Sequence, residues 1–375
     1  VASLGKRVEK AAKKVRDDAR RRRLEAGESG WGAPLVPDPV VPPAHRPARV
    51  AVIGAGRQGG HLAHAAAAID GAELVAIADL DGERSTALAR EVGLDAGRCG
   101  PDAATLLAEH PADLVAVATT APHHVALGRV AKAAGARRIL LEKPIDTSYA
   151  DAAAFVAECQ ADGVVLGVNY IRRWLADHRA VVAAVDAGQI GPVRIITAQV
   201  GAGELAMLAS HYVDFARQVL HQEPVSVSAQ LRPREGGNQR GDQYDDPTGH
   251  LVVRFSDGAR AYIDVEDDLP RSDAVVTLRG DHGMIVIEEN REVWSLRAQS
   301  TRTWTFPMAG QFRPRPIAVR VVHGMLVDDV AACTGADGLA ALEVILAAHH
   351  SSADGGRAVA LPLTDEQRAL VVHFP

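Results

Sequence analysis

The stretch that decides the fold is ARVAVIGAGRQGGHLAHAAAAI, residues 48–69. A short apolar run ends in Gly54, Gly56 and Gly59, and an alanine-rich helical segment follows directly. A second apolar run, AELVAIADLD at 72–81, comes next, so strand, glycine turn, helix and strand make a βαβ unit. Glycines at that place let the backbone turn tightly and approach a pyrophosphate, whose charge then meets the free amides of the helix N-terminus. Arg57 and Gln58 lie inside the same G-x-G-x-x-G turn. A glycine turn that only lets helix and strand pack is the plainer reading, and Asp79 argues against it. Asp79 ends the second run about 20 residues on, where a carboxylate accepts both hydroxyls of an adenosine ribose. A 2'-phosphate there would meet the same negative charge, so NAD is favoured, while Arg57 and Arg84 leave NADP open.

Outward from this unit the alternation continues with ADLVAVATT at 112–120, a helical stretch from about His124 to Ala134, and RRILLEKP at 137–144. A helix from about Ser148 to Asp162 leads to GVVLGVNY, the last strand of this half. Continuous apolar runs separated by helices imply a parallel sheet covered on both faces, a doubly wound Rossmann domain over 48–168. Beyond Tyr170 the pattern changes. A helix near 177–187, the strand VRIITAQVG and a helix near 205–220 precede alternating strands at 225–231, 249–266, 273–280, 283–289 and 292–298. Turn signals such as Ser256, Asp257 and Gly258 between them read as an antiparallel meander, and helical stretches near 317–334 and 337–350 follow. An α+β domain over 169–375 is expected, with RPREGGNQRGDQYDDP at 232–247 as a long polar loop, mobile or folded over a site. Ahead of the first strand, residues 1–26 carry an amphipathic pattern with the run Arg20 to Arg23, and 27–47 is a Pro- and Gly-rich arm.

Composition narrows the function. The 375 residues suffice for two cores, and 47% hydrophobic with 23% charged residues is close to the globular average. A net charge of -6 gives no general field for nucleic acid, so small molecules or copies of the chain are the expected partners. Cys99, Cys159 and Cys333 show no metal-ligand spacing, no metal site is expected, and so few cysteines fit a reducing, cytoplasmic setting. No apolar run approaches the roughly 18 residues of a membrane span, and the charged first 25 residues do not read as a signal peptide.

LLEKPID sets Glu142 and Lys143 at the C-terminal end of the fifth strand, the edge where open α/β sheets bind ligands. By context the pair is either a buried ion pair or a catalytic lysine with its positioning acid. Burial lowers a lysine's pKa, as a proton shuttle near neutral pH requires. Taken together, G-A-G-x-x-G after the first strand, ADLD after the second, ATTAPHH after the fourth, EKP after the fifth and VNYIRRW after the sixth resemble the glucose-fructose oxidoreductase and inositol dehydrogenase family (Gfo/Idh/MocA). The similarity runs from about Arg49 onward, with specific motifs as far as Asp214. It implies a Rossmann domain joined to an open-faced, mainly antiparallel sheet, NAD or NADP as cofactor, and oxidation or reduction of a carbinol carbon on sugars, nucleotide sugars or cyclitols. It further implies that Lys143 sits beside nicotinamide and substrate, that Thr119 and His124 line the cofactor with Glu142, and that Pro144 makes a turn, with a cis bond as one option, aiming Lys143 into the cleft. A proline-rich arm embracing a neighbouring subunit is the family's counterpart for 27–47, and a homodimer or homotetramer through the C-terminal sheet is expected.

The same resemblance gives GAGELAMLASHYVD, residues 201–214, a register. Gly201, Ala202 and Gly203 stand for a glycine-rich triplet, His211 for a histidine that faces substrate and Asp214 for a final acid. Met207 occupies the position of an Asp. Spacing of four sets residues 207 and 211 on one helix face. Histidine titrates closest to neutral pH and reads as the base, with Lys143 as electrostatic anchor or acid. Glu204, two helical turns before His211, is the candidate replacement acid. Tyr170, Arg172 and Arg173 follow the last Rossmann strand, where the arginines would hold a phosphate or carboxylate of substrate or stand as exposed helix-start charges. The expected function is NAD(P)-dependent hydride transfer between a hydroxyl and a ketone. Redox-neutral chemistry on tightly bound NAD, or sensing of NAD or sugar without catalysis, are the alternatives.

Overall fold

The computed structural model describes residues 47–375, apart from 202, 235–236, 239, 242, 267–273, 299–302, 309–313 and 329. The basic segment at 1–26 and all but the last residue of the 27–47 arm lie outside the described residues.

The deciding βαβ unit is formed by β1 (Ala48–Ile53), α1 (Arg57–Ala68) and β2 (Ala72–Ala78). Next comes α2 (Gly82–Val92), whose first amides, of Glu83 and Arg84, donate to the Asp81 carboxylate. Then follow β3 (Cys99–Gly100), α3 (Ala103–Glu109), β4 (Leu114–Val117), α4 (His124–Ala133), β5 (Arg138–Leu141), α5 (Tyr149–Ala161) and β6 (Val165–Val168). All neighbours pair in parallel, in the order β3-β2-β1-β4-β5-β6. Strand order reverses between β1 and β4, so the chain leaves in opposite directions there and opens a crevice at the C-terminal strand ends. Every residue of β4 is buried, because helices cover both faces. The two-residue β3 is too short to leave an apolar run in the sequence.

After a 3₁₀ turn at Ile171–Arg173 come α6 (Ala176–Asp186) and β7 (Val193–Gln199). The helix expected near 205–220 is two pieces, a π-helical segment at Leu205–Ala209 and α7 (Ser210–Leu220). The strands β8 (Pro224–Arg232), β9 (Thr248–Phe255), β10 (Arg260–Asp264), β11 (Val275–Gly280), β12 (Gly283–Glu288), β13 (Val293–Arg297) and β14 (Thr303–Pro307) follow, then α8 (Pro314–Val327), α9 (Gly335–Ala353) and β15 (Val359–Ala360). They form one nine-stranded sheet, β14-β13-β12-β11-β7-β10-β9-β8-β15. The expected meander is interrupted, since β7 lies between β10 and β11 and pairs in parallel with β10. Alternation of apolar residues tells which face a side chain takes and not which strand lies beside it, so the insertion has no local signature. One face of the sheet packs on α7 and α9, while the other leaves His250, Arg254, Arg279 and Tyr262 exposed.

The six-stranded sheet is tied directly to α8 and to the residues that lead into α9. Val168 N donates to Cys333 O at 3.0 Å, Gly167 bridges to Thr334, and Arg138 Nη1 donates to Met325 O at 3.0 Å. Among the described residues no helix is long and apolar enough to cross a membrane.

Candidate active site

The glycine turn has the shape a pyrophosphate needs. Gly54 takes φ +100, and a Cβ on it would lie 2.5 Å from Ala118 O. At Gly59 a Cβ would meet Gly54 O at 1.7 Å, so only glycine lets α1 start this close to β1. Gly56, which caps α1, has nothing within 4 Å of its Cβ position, so open space lies against the helix N-terminus, whose first turn carries no acidic residue. The residues therefore fit a dinucleotide phosphate. Asp79 is fixed beside the turn by two main-chain amides, Ala55 N at 2.6 Å and Asp81 N at 2.9 Å. Arg84 Nη1 stands 3.7 Å from Asp79, with its side chain half exposed. Arg57 is exposed, Gln58 half-buried, and the Thr119 amide adjoins Gly54.

At the end of β5 the chain turns through a cis Lys143–Pro144 bond. Lys143 is 7% exposed, and its Nζ donates to Met207 O at 2.8 Å and contacts Met207 Sδ at 3.4 Å. Burial pushes its pKa down to about 8; Arg240 acts in the same direction, and Glu142, Asp246 and Glu204 act against it. Glu142 is buried, and burial raises its pKa against the pull of its Asn169 hydrogen bond and the Lys143 charge. Asn169 Nδ2 donates to Glu142 at 2.6 Å. Glu142 and Lys143 thus share a buried corner, yet the amine is bonded to Met207 and not to the carboxylate.

His211 lies in the first turn of α7, 8% exposed, with its ring edge-on to Tyr170 at 5.4 Å. Burial holds its pKa well below the ordinary histidine value, and the charges of Arg172 and Lys143 push the same way. Its buried Nδ1 has no partner, so no carboxylate raises its basicity. Glu204 precedes the π-helical segment and does not share the His211 face as a continuous α-helix would allow; its carboxylate pairs with Arg234 from the polar loop.

Several residues expected at the ligand are engaged by other groups of the protein. Arg172 is 3% exposed and makes a bidentate pair with Glu289, Nε and Nη2 both at 2.7 Å, with Tyr212 stacked 4.1 Å from its guanidinium. Glu289 also accepts from Tyr212 Oη at 3.2 Å and lies 3.1 Å from His178 Nε2. Arg173 grips Asp214 at 2.8 to 3.0 Å and reaches Asp337 at 3.0 Å; Arg217 reaches Asp337 at 2.9 Å. Arg172 therefore belongs to a buried ionic knot with Glu289, and Arg173 and Asp214 to a second, largely buried one with Asp337 and Arg217. Tyr170 is fully buried behind His211. His124 is a strut, its Nδ1 2.8 Å from Pro144 O and its Nε2 3.2 Å from Thr119 O, with burial lowering its pKa to about 4. It braces the lysine turn from behind.

Sequence reading missed Asn169, which stands in the quoted VNY motif, and Asp246, one of two adjacent acids ending the polar loop. Asp246 is 3% exposed, its carboxylate accepts the amides of Ala206 and Met207, and burial raises its pKa to about 7. The only signal for it was a polar loop too long to be a mere connection.

Comparison with known proteins agrees with this geometry. The family described as "Oxidoreductase family, NAD-binding Rossmann fold" matches residues 48–170, and the "GFO/IDH/MocA C-terminal domain" matches 194–286. A D-apiose dehydrogenase of Paraburkholderia graminis is 41% identical over 141 residues, 38% of this chain and 37% of that protein. Inositol 2-dehydrogenase 3 of Saccharopolyspora erythraea is 31% identical over 230 residues, 58% of this chain and 65% of that one. The chain thus spans less than two thirds of the length of these curated relatives. The crystal structure of an inositol dehydrogenase homologue from Azotobacter vinelandii, complexed with NADH and myo-inositol, shares the fold at a TM-score of 0.74 and 18% identity, covering 84% of this chain and 98% of that one. The chain belongs to the Gfo/Idh/MocA family of oxidoreductases.

Proposed function

We propose that this member of the Gfo/Idh/MocA family is an NAD-dependent dehydrogenase or ketoreductase acting on a carbinol carbon of a sugar or cyclitol, with Lys143 exchanging the hydroxyl proton. The placement of Lys143 carries this reading: a buried amine at the crevice edge, bonded to a carbonyl and not to a carboxylate. When bound, the nicotinamide accepts or returns the hydride.

The chain's own residues supply position and proton transfer. Gly54, Gly56 and Gly59 shape the pyrophosphate cradle, and Asp79 offers its carboxylate to the ribose diol, which favours NAD over NADP. Leu80, 90% exposed next to Asp79, gives an adenine ring an apolar surface. Lys143 titrates near 8, so it takes a proton from a hydroxyl as the neutral amine and returns one as the ammonium close to physiological pH. His211, kept neutral by burial and two neighbouring cations, serves as a hydrogen-bonding group toward substrate and not as the base. That reverses the roles expected for the two residues. D-apiose dehydrogenase and inositol 2-dehydrogenase among the relatives support a sugar or cyclitol as substrate. The division into a nucleotide half and a substrate half near residue 168 belongs to the same reading, as does a homodimer or homotetramer through the exposed sheet face around Tyr262. Three free thiols accord with a cytoplasmic setting.

A panel of sugars, sugar acids and cyclitols, followed by reduced-nicotinamide absorbance with NAD and with NADP, tests the proposal. Turnover with at least one polyol, faster with NAD and lost in Lys143→Ala, is expected. Equal activity in the variant removes Lys143 from the chemistry. Tight NAD binding with no absorbance change on any substrate turns the reading toward redox-neutral chemistry or sensing.

A further inference from the structure

The π-helical segment that begins the 205–220 helix is anchored from outside the helix. Its first four amides are all accounted for: Leu205 N donates to Pro247 O at 2.8 Å, Ala206 N and Met207 N to the two Asp246 oxygens at 2.8 and 2.9 Å, and Leu208 N to Glu204 O at 2.9 Å. Glu204 occupies the position from which a side chain ordinarily caps a helix, but its carboxylate turns to Arg234 and makes no cap bond. Capping is handed to an acid about 40 residues away in sequence. Both ends of the polar loop, Arg234 and Asp246, are therefore tied to the four residues from Glu204 to Met207. That same stretch offers the Met207 carbonyl to Lys143 Nζ. Met207 is held on two sides, its N–H by Asp246 and its C=O by the amine.

We propose that Asp246 is a positioning residue for Lys143: its buried carboxylate fixes the π-helical turn whose Met207 carbonyl holds the amine at the crevice. The inference rests on Lys143 being the functional amine of this site. An acid thus serves the site from the loop, at a point where the helix itself offers only the Met207 side chain. A carboxylate suits the task because it presents an acceptor to each of two parallel amides, which a carboxamide cannot do: one of its two ends is a donor and faces a donor. The Asp246 charge also acts on the Lys143 ammonium in the stabilising direction.

Lysine is scarce in this chain, with Lys6, Lys10, Lys13 and Lys14 near the start and only Lys132 and Lys143 thereafter. Selective ¹³C labelling of lysine therefore gives few Cε resonances, and Lys143→Arg assigns the one of interest. The Lys143 titration midpoint is read by NMR in the full chain and in Asp246→Asn, beside calorimetric NAD binding. In the variant the midpoint falls by about half a pH unit or more, because the ammonium loses both a nearby anion and a firmly held carbonyl, while the NAD affinity stays within about twofold. Met207→Leu, which removes the sulfur and keeps the carbonyl, leaves the midpoint in place. A midpoint unmoved in a folded Asp246→Asn protein overturns the proposal, as does one that moves in Met207→Leu and not in the Asp246 variant. If Asp246→Asn does not fold, Asp246→Ser, which retains one acceptor oxygen, is read in the same way. A purely structural cap would lower the melting temperature without moving the lysine. The measurement needs neither substrate nor turnover, so an inactive enzyme and an unmoved lysine are separate results.

Discussion

Arg173, largely buried, and Lys143, buried, are cations wired in opposite ways. Arg173 places its donors on the carboxylates of Asp214 and Asp337, and Arg172 does the same with Glu289. Lys143 has a carbonyl and a thioether, with its neighbouring carboxylate turned to Asn169. A fully matched cation keeps its proton and its place, and burial is offset by charge pairing. A cation matched only by neutral acceptors has a lowered proton affinity and is free to exchange. Neighbouring parts of one fold thus separate a structural cation from a chemical one by the partner each is given and by the side chain itself, since a guanidinium keeps its proton with any partner and a buried amine does not.

The comparison is broken most directly by exchanging the outcomes. Lys143→Ala is expected to lower kcat/KM by roughly 10²- to 10⁴-fold, the usual range for a general acid or base, with the denaturation midpoint unchanged or higher because a desolvated amine is gone. Loss of stability with retained turnover would place Lys143 among the structural cations. Glu289→Ala should do the reverse, costing about 3–5 kcal/mol in urea unfolding by removing the carboxylate that matches the buried Arg172, while NAD binding by the folded fraction persists.

A smaller effect sharpens the contrast through pH. Oxidation requires the neutral Lys143 amine, so kcat/KM should climb about tenfold per unit below pH 8 and level off above it. The group's folded pKa lies below the ordinary lysine value, so the unfolded chain binds more protons between about pH 8 and 10.5, and stability should rise across that window. A rate profile flat from pH 6 to 9 would show that this amine does not carry the proton. Least in size, Asp79→Ala should weaken NAD about tenfold, or about 1.4 kcal/mol, and narrow the preference over NADP, as read by calorimetry with both nucleotides. An unchanged ratio would move nucleotide discrimination to Arg84 or Arg57.

Much of this was legible in the sequence wherever the signal was local. The glycine turn, Asp79 and the lysine at the end of β5 are short-range features, and parallel strands buried on both faces declare themselves as apolar runs. What stayed hidden depends on partners distant in sequence. Nothing around Arg172 reveals that Glu289 will meet it, and RRW after a strand is equally consistent with a ligand site and an ionic knot. Asp246 sits among polar residues whose pattern does not say which one will be buried. The π-helical segment escaped for a related reason: a spacing of four between Met207 and His211 suits an α-helix, and the wider turn is imposed by an anchor about 40 residues away.

The seam at β6 bears on how the molecule comes into being. β6 is the last strand of its sheet, and its outer edge is closed by Cys333 and Thr334, about 165 residues further along the chain. At translation speeds of about 5–20 residues per second, a nascent chain carries that edge unpaired for roughly 8–33 s. An apolar strand end left open that long is a template for pairing with a neighbouring chain. Early in synthesis the protein's exposure to aggregation is therefore set by the time the residues between β6 and Cys333 take to arrive, and a chain cut off before Cys333 should precipitate even with its nucleotide half complete.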